Sequence, residues 1–387
     1  MRAIIFLSVA GLLTLPFASC SHDSDNPEQA RKDVLMDKRD IAVMLASLPL
    51  GDEQVGEVFD AVNSSSGNGY DEEYMMSDLL TTPGAGVGDD RASKASAALK
   101  YSRPIKDMVA DYLAGTRSGL SKSGADVQAY LDDMLESGLQ IYWPYSEEWD
   151  GETMPLVTFD PGGASESNYA YVVNGEDGRY VVTDSVYVDE NVARTRPVWV
   201  INSNNDSSSI PIDAFLKSSP SHSGRKAATG GVKSLYIKDF TMLRNYDSWF
   251  AGASEFHIHT GFVNGASAIT DATLKQYNPE LTDFVIVVRR RDLGRCKQYN
   301  LVLVSDYSEE LDKIAFLVNE EDMGEVTSWK GSIELKYKSK TYGLSVDIPY
   351  RNGDDIVWRG QLNYSYLSSK ESVNGRFGDV SITFQVK

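Results

Sequence analysis

The chain has 387 residues, 42% of them hydrophobic, a formal charge of −19 and two cysteines. Such a length can bury two or three cores, the acidity excludes general nucleic-acid binding, which needs a basic surface, and two thiols cannot build a disulfide framework. The charge is uneven: residues 21–150 carry 25 acidic and 11 basic side chains, residues 232–387 carry 21 and 19.

Residues 1–19 form a signal peptide by pattern. Arg2 precedes an apolar run from Ile4 to Leu15, too short to span a bilayer, and small residues Ala18 and Ser19 lead to Cys20. A cysteine in that place resembles the acylation site of a bacterial lipoprotein, which implies a lipid such as palmitate on Cys20 and the membrane as a partner. Residues 20–32, polar and acidic from Ser21 to Glu28, read as a flexible tether. The acidic stretch after the cysteine resembles the signal that sends Bacteroidota-type lipoproteins to the cell surface. It implies an outer-membrane, surface-exposed protein, with a periplasm-facing body as the alternative.

Residues 33–138 carry helical periodicity. Ile41, Leu45 and Leu48 share a face before Pro49, and Val55, Val58, Phe59 and Val62 share the next, ending at Asn63–Gly67. After the Pro- and Gly-rich loop at 83–88, helices are predicted over Ser93–Ala114 and Asp126–Leu135. Residues 139–202 turn to β: Leu139–Trp143, Leu156–Phe159, Tyr169–Val173, Arg179–Val182 and Pro197–Asn202 are short β-branched and aromatic runs, with a hairpin signal at Asn174–Gly178. They predict a small sheet packed with the helices. Residues 203–231 are Ser-rich and read as a linker, although Ile210–Ile212, Phe215 and Leu216 can dock on a neighbour. Residues 232–387 hold nine strand candidates, from Ser234–Phe240 to Val380–Val386, with no helix between them. The fold class is therefore α+β and multidomain: a helical N-terminal part with a small β-sheet, then an antiparallel β-sandwich.

Three stretches, Ile141–Ser146 with Trp149–Gly151, Pro197–Asn202 and Asp354–Gly360, together with the leader resemble surface lipoproteins of gut Bacteroidota over most of the chain. That resemblance implies no activity. By strand count alone, the C-terminal sandwich also resembles a C2-type domain.

His257 and His259 lie two apart in a predicted strand, so both rings share one face while Phe256 and Ile258 take the other. The face is either solvated or holds a metal such as zinc, although zinc needs further ligands. Glu320, Glu321 and Asp322 with Asp354 and Asp355 offer loop carboxylates that suit calcium or simply face water. Asn202, Asn204, Asp206 and Asp213 follow calcium-loop spacing, but Ser207 stands where the sharp turn needs Gly. Arg289, Arg290 and Arg291, with Arg295, Cys296 and Lys297, form a basic knot that suits a phosphate or sulfate group. Trp143, Tyr145, Trp149 and Asp150 form either a sugar platform or an internal core. The chain has no H-E-x-x-H, G-x-S-x-G, Walker loop or C-x-x-C pair, so no catalytic residue is assigned. The leading expectation is a surface binding or interaction module for a glycan or protein ligand, without a resident cofactor. The alternative is an extracytoplasmic hydrolase using acidic side chains or a bound metal.

Overall fold

The computed structural model describes residues 36–81, 101–116, 124–163, 165–173, 185–204, 210–218 and 232–387. The leader with Cys20, the tether, the 83–88 loop, the 174–178 turn, the 179–182 strand and the stretch 219–231 lie outside the described residues.

Helix α1 (Lys38–Ser47) starts at a reciprocal cap. Asp37 accepts from the Asp40 amide at 2.8 Å, and the Asp40 carboxylate accepts from the Asp37 amide. Its face of Ile41, Met44 and Leu45 is fully buried. Helix α2 (Asp52–Gly67) runs through the serines expected to end it. Asn63 donates back to the Phe59 carbonyl at 2.8 Å and Ser66 to that of Asn63, so these polar side chains serve the last turns rather than breaking them. The chain turns away only at Gly69, where φ is +96°. Strand β1 (Glu73–Met75) and helix α3 (Met76–Leu80) follow, neither predicted. Helix α4 (Ile105–Thr116) starts directly after Pro104, which disfavours helical backbone at Arg103; the first part of the predicted helix, 93–100, lies outside the described residues. Helix α5 (Gly124–Glu136) matches its prediction closely.

A six-stranded mixed sheet comes next, built from β1, β2 (Leu139–Tyr142), β3 (Leu156–Phe159), β4 (Ser167–Val172), β5 (Ser185–Asp189) and β6 (Val198–Ser203), in the order β1-β2-β6-β3-β4-β5. Only β3 and β6 run parallel. Its central strands are covered on both faces, which is why β6 reads as an unbroken apolar run, whereas Tyr169 and Tyr187 at the β4–β5 end are exposed. Trp199, Ile201, Ile141 and Val157 face the helices, whereas Val198, Val200, Tyr142 and Leu156 face the other way.

What covers that second face is a loop from the sandwich. Between β7 (Leu235–Met242) and β8 (Ser254–Phe262) the chain inserts Trp249 and Phe250, both fully buried, against Tyr142, Leu156 and Val200. Trp249 Nε1 donates to the Glu166 carbonyl at 2.9 Å, Asn202 donates to the carbonyls of Phe250 and Ala251, and Asp71 accepts from the Ala253 amide at 2.9 Å. Residues 35–387 accordingly form one compact unit. Short helix α6 (Glu190–Ala193) precedes β6, and α7 (Ile212–Ser218) lays Ile212 and Leu216 on the sandwich core, as those apolar residues suggested.

The sandwich adds β9 (Glu280–Val288), β10 (Lys297–Val304), β11 (Leu311–Glu320), β12 (Val326–Tyr337), β13 (Lys340–Arg351), β14 (Asp355–Asn363), β15 (Ser372–Phe377) and β16 (Val380–Val386), with short helix α8 (Tyr364–Leu367) before β15. One sheet runs β10-β7-β16-β15. The other runs β13-β12-β11-β8-β9, with β14 also paired to β11, and every ladder in both sheets is antiparallel. Ile237, Phe240, Phe256, Ile258, Phe316 and Phe384 meet between them as the largest core of the molecule. Strand β12 pairs with β11 only at Leu311 and Lys313; from Ala315 onward β8 and β14 occupy the two edges of β11. The long β12–β13 hairpin is thereby released from the sheet and crosses the outer face of β8, where Gly261 lies against Val346. No helix among the described residues is long and apolar enough to cross a membrane.

Candidate functional site

The hairpin's far end roofs a cleft of about 200 Å³ over the outer face of β8 and β11, lined by His257, His259, Asp283, Asn319, Glu321, Val326, Pro349, Tyr350, Arg351 and Asp354. Strand alternation puts the two rings there, since Phe256 and Ile258 occupy the core side. The face is not solvated, however: His257 is 9% and His259 3% exposed, because the hairpin covers them. The rings stack nearly parallel, 5.5 Å between centroids.

Asp283, opposite His259 on β9, places one carboxylate oxygen 3.3 Å from His259 Nδ1 and 3.5 Å from His257 Nδ1. On its other side His257 Nε2 lies 2.7 Å from Glu321, which is itself buried and takes Arg351 Nε on its second oxygen. Burial opposes charge on His257, but Asp283 and Glu321 outweigh it and raise its pKa to about 9. Burial lowers that of His259, with His257 adding to the effect and Asp283 opposing it. Both His259 nitrogens are buried without a hydrogen bond. Burial works against the Asp283 carboxylate, yet the two rings hold its pKa below the usual range. Asp354 shapes the rim: it accepts from Asn319 Nδ2 at 2.7 Å and from the amides of Asp322 and Arg351.

On the opposite side of the β11 end, Glu320 meets Asp247 and Asp322, with an oxygen of each within 4.8 Å of the others. Burial, then Asp247, pushes Glu320 up to about 12, and burial raises Asp322 to about 6. Asp355 stands exposed beside this group. The sequence thus marked Asp354 and Asp355 as one cluster, and the structure divides them between two sites.

The remaining candidates sit in the other half of the unit. Trp143 is 1% exposed and packs edge-on against Phe59, Trp149 and Trp199, so it belongs to the core. Tyr145, held at φ +60°, donates its hydroxyl to Glu190 at 2.7 Å. Asp150 closes a turn by accepting from the Glu152 and Thr153 amides and the Thr153 hydroxyl, which together lower its pKa to about 2. Half-buried Trp149 nevertheless forms one wall of a cleft of about 130 Å³ with Glu148, Asp150, Thr153, Arg194 and Arg196.

Arg289, Arg290 and Arg291 are engaged within the protein. Arg290, 6% exposed, holds Glu190 at 3.1 Å and the Asp247 carbonyl; Arg289 pairs with Glu147 and Asp292; Arg291 also pairs with Glu147. They brace the sandwich against the small sheet. Cys296 is a free, exposed thiol. Of the calcium-loop residues, Asn202 serves the aromatic loop, Asn204 donates to Glu73 and Gln140, and Asp213 pairs with Lys297 at 2.7 Å, while Asp206 and Ser207 lie outside the described residues.

Sequence reasoning missed Asp283, Asn319, Arg351 and Asp247. Strand pairing brings Asp283 to the histidines, and no local pattern announces which strand is the neighbour. No protein-family model, curated protein or solved structure matches this chain.

Proposed function

We propose that the protein is a lipid-anchored binding module at the outer surface of the cell, taking a glycan at the Trp149 cleft. The leader ending in Cys20 and the acidic tether support the location, as does the resemblance to surface lipoproteins of gut Bacteroidota. The observation that carries the binding reading is the composition of the cleft. One indole wall offers an apolar face, Glu148 offers an acceptor, and Arg194 and Arg196 offer donors, the mixture that hydroxyl-rich rings require. Trp149 is fixed by its Nε1 bond to the Thr153 carbonyl at 2.9 Å, exposed Arg194 is held by Glu190 at 2.9 Å, and exposed Arg196 donates to the Met154 carbonyl at 3.2 Å, so wall and rim are both pre-organised.

Affinity electrophoresis of the full-length protein through gels containing a panel of surface and dietary polysaccharides tests the reading. Retardation by at least one glycan is expected, reduced tenfold or more in Trp149→Ala and in Arg194→Ala/Arg196→Ala. Retardation by none, or equal retardation of the variants, removes the glycan reading. The anchor is tested separately: Cys20→Ala is expected to shift the protein from the membrane to the soluble fraction.

A further inference from the structure

The two buried histidines make no use of this glycan cleft and ask for an account of their own. We infer that His257, His259 and Asp283 are the protein ligands of a divalent transition-metal centre, zinc fitting best, with Glu321 orienting His257 from behind and one coordination position open to the cleft.

Four observations carry this. The first is spacing: metal–ligand bonds of about 2.0–2.1 Å place tetrahedral ligand atoms about 3.3 Å apart, and the carboxylate oxygen of Asp283 stands 3.3 Å from His259 Nδ1 and 3.5 Å from His257 Nδ1. A single ligand atom from each of the three residues falls within 4.8 Å of the other two. The second is the unmet need of His259, whose side chain is 4% exposed and whose ring nitrogens make no well-aligned hydrogen bond, Nδ1 facing only the Asp283 oxygen at 3.3 Å. A buried imidazole without one carries a desolvation cost that a metal bond removes.

The third is the ring on the other side. His257 turns Nε2 to Glu321 at 2.7 Å, which leaves Nδ1 facing Asp283. A carboxylate behind a histidine is how metal sites fix the tautomer and aim the ligand. Arg351 in turn holds Glu321. The fourth is charge and opening: the cleft lining carries three carboxylates against one guanidinium, and Asp283 is 44% exposed, so a cation has both a reason and a route to enter. Two imidazoles select a transition metal over calcium or magnesium, which prefer all-oxygen sets. Three protein ligands and an open position describe a reactive or ligand-accepting centre rather than a closed structural one.

The test uses the full-length protein, stripped with chelator, reloaded with Zn²⁺, desalted and assayed for metal by mass spectrometry. Cobalt loading adds the visible absorption of a four- or five-coordinate site. About one equivalent of zinc and a cobalt spectrum are expected in the wild type. Both should be lost in His257→Ala/His259→Ala, while Glu321→Gln weakens zinc about 10–100-fold. Asp283→Asn changes a side chain at the mouth of the cleft, and far-UV circular dichroism confirms its fold; it too should lose the cobalt spectrum. The inference is overturned if wild-type protein retains no more zinc than the double variant. It is equally overturned if folded Asp283→Asn binds cobalt as the wild type does.

Discussion

Glu57 offers the most exacting check on how burial governs this molecule. It is 1% exposed on α2, its Oε2 accepts from the Ile105 amide at 2.8 Å at the start of α4, and the Tyr74 hydroxyl donates to Oε1. Burial raises its pKa to about 7, with the Ile105 and Tyr74 hydrogen bonds pulling the other way. In the unfolded chain the same group releases its proton near 4.3. Across the window from about 4.3 to about 7 the native state therefore binds more protons than the unfolded one, and stability falls as pH rises. At 1.36 kcal/mol per unit, the loss amounts to about 2.5 kcal/mol between about pH 5 and about pH 8. Glu57→Gln keeps an acceptor for the Ile105 amide and cannot ionise. Urea unfolding of both proteins across this range should give a wild-type curve that falls more steeply than the variant's by about that amount. Other buried acids contribute equally to both and cancel in the difference. Parallel curves would refute the assignment of the proton to Glu57.

Three further outcomes follow from the packing. Trp249→Ala empties the fully buried contact between the sandwich loop and the small sheet; a cost of about 3–5 kcal/mol is expected in denaturant unfolding. Gly252→Ala forces a side chain onto backbone at φ +133° and sets its Cβ 2.8 Å from Asp71 Oδ2, so a loss of about 1–3 kcal/mol should appear as a lowered Tm. Glu72, raised to about 8 by burial first and by Asp71 beside it, should behave like Glu57: Glu72→Gln should flatten the alkaline fall in stability, read in the same urea series.

The architecture was legible in the sequence where period and burial agree. The face of α1, the β6 run and the Val380–Val386 alternation each sit in a core as their spacing requires. The misses have identifiable physical causes. Strand β15 was overlooked although Gly378 and Asp379 join Phe377 to Val380 in a two-residue turn with Gly378 at φ +59°, a hairpin signal in plain sight. Strands β1 and β5 are short edge pieces, and β1 exists only through a partner, β2, more than sixty residues away. The site was half legible. Residue spacing put His257 and His259 on one face, but Asp283 reaches them through the β8–β9 ladder and Arg351 through the β12–β13 hairpin, and long-range pairing leaves no local trace.

The burial of those histidines follows from a packing detail rather than from the histidines. Because β8 and β14 fill both edges of β11 from Ala315 onward, the β12–β13 hairpin has no edge there to pair with and lies across the sheet. It can do so closely only because the crossing is made of small side chains. A Cβ on Gly331 would stand 2.7 Å from that of Ala315, and one on Gly261 would stand 2.5 Å from Val346 Cγ1. Larger residues there would lift the hairpin by overpacking, and its far end, which carries Pro349, Tyr350 and Arg351, would rise with it. Arg351 would then leave Glu321, and the carboxylate that aims His257 would lose the guanidinium that holds it. The geometry of the histidine cleft is thus set more than a strand's width away, by residues that carry no chemistry of their own.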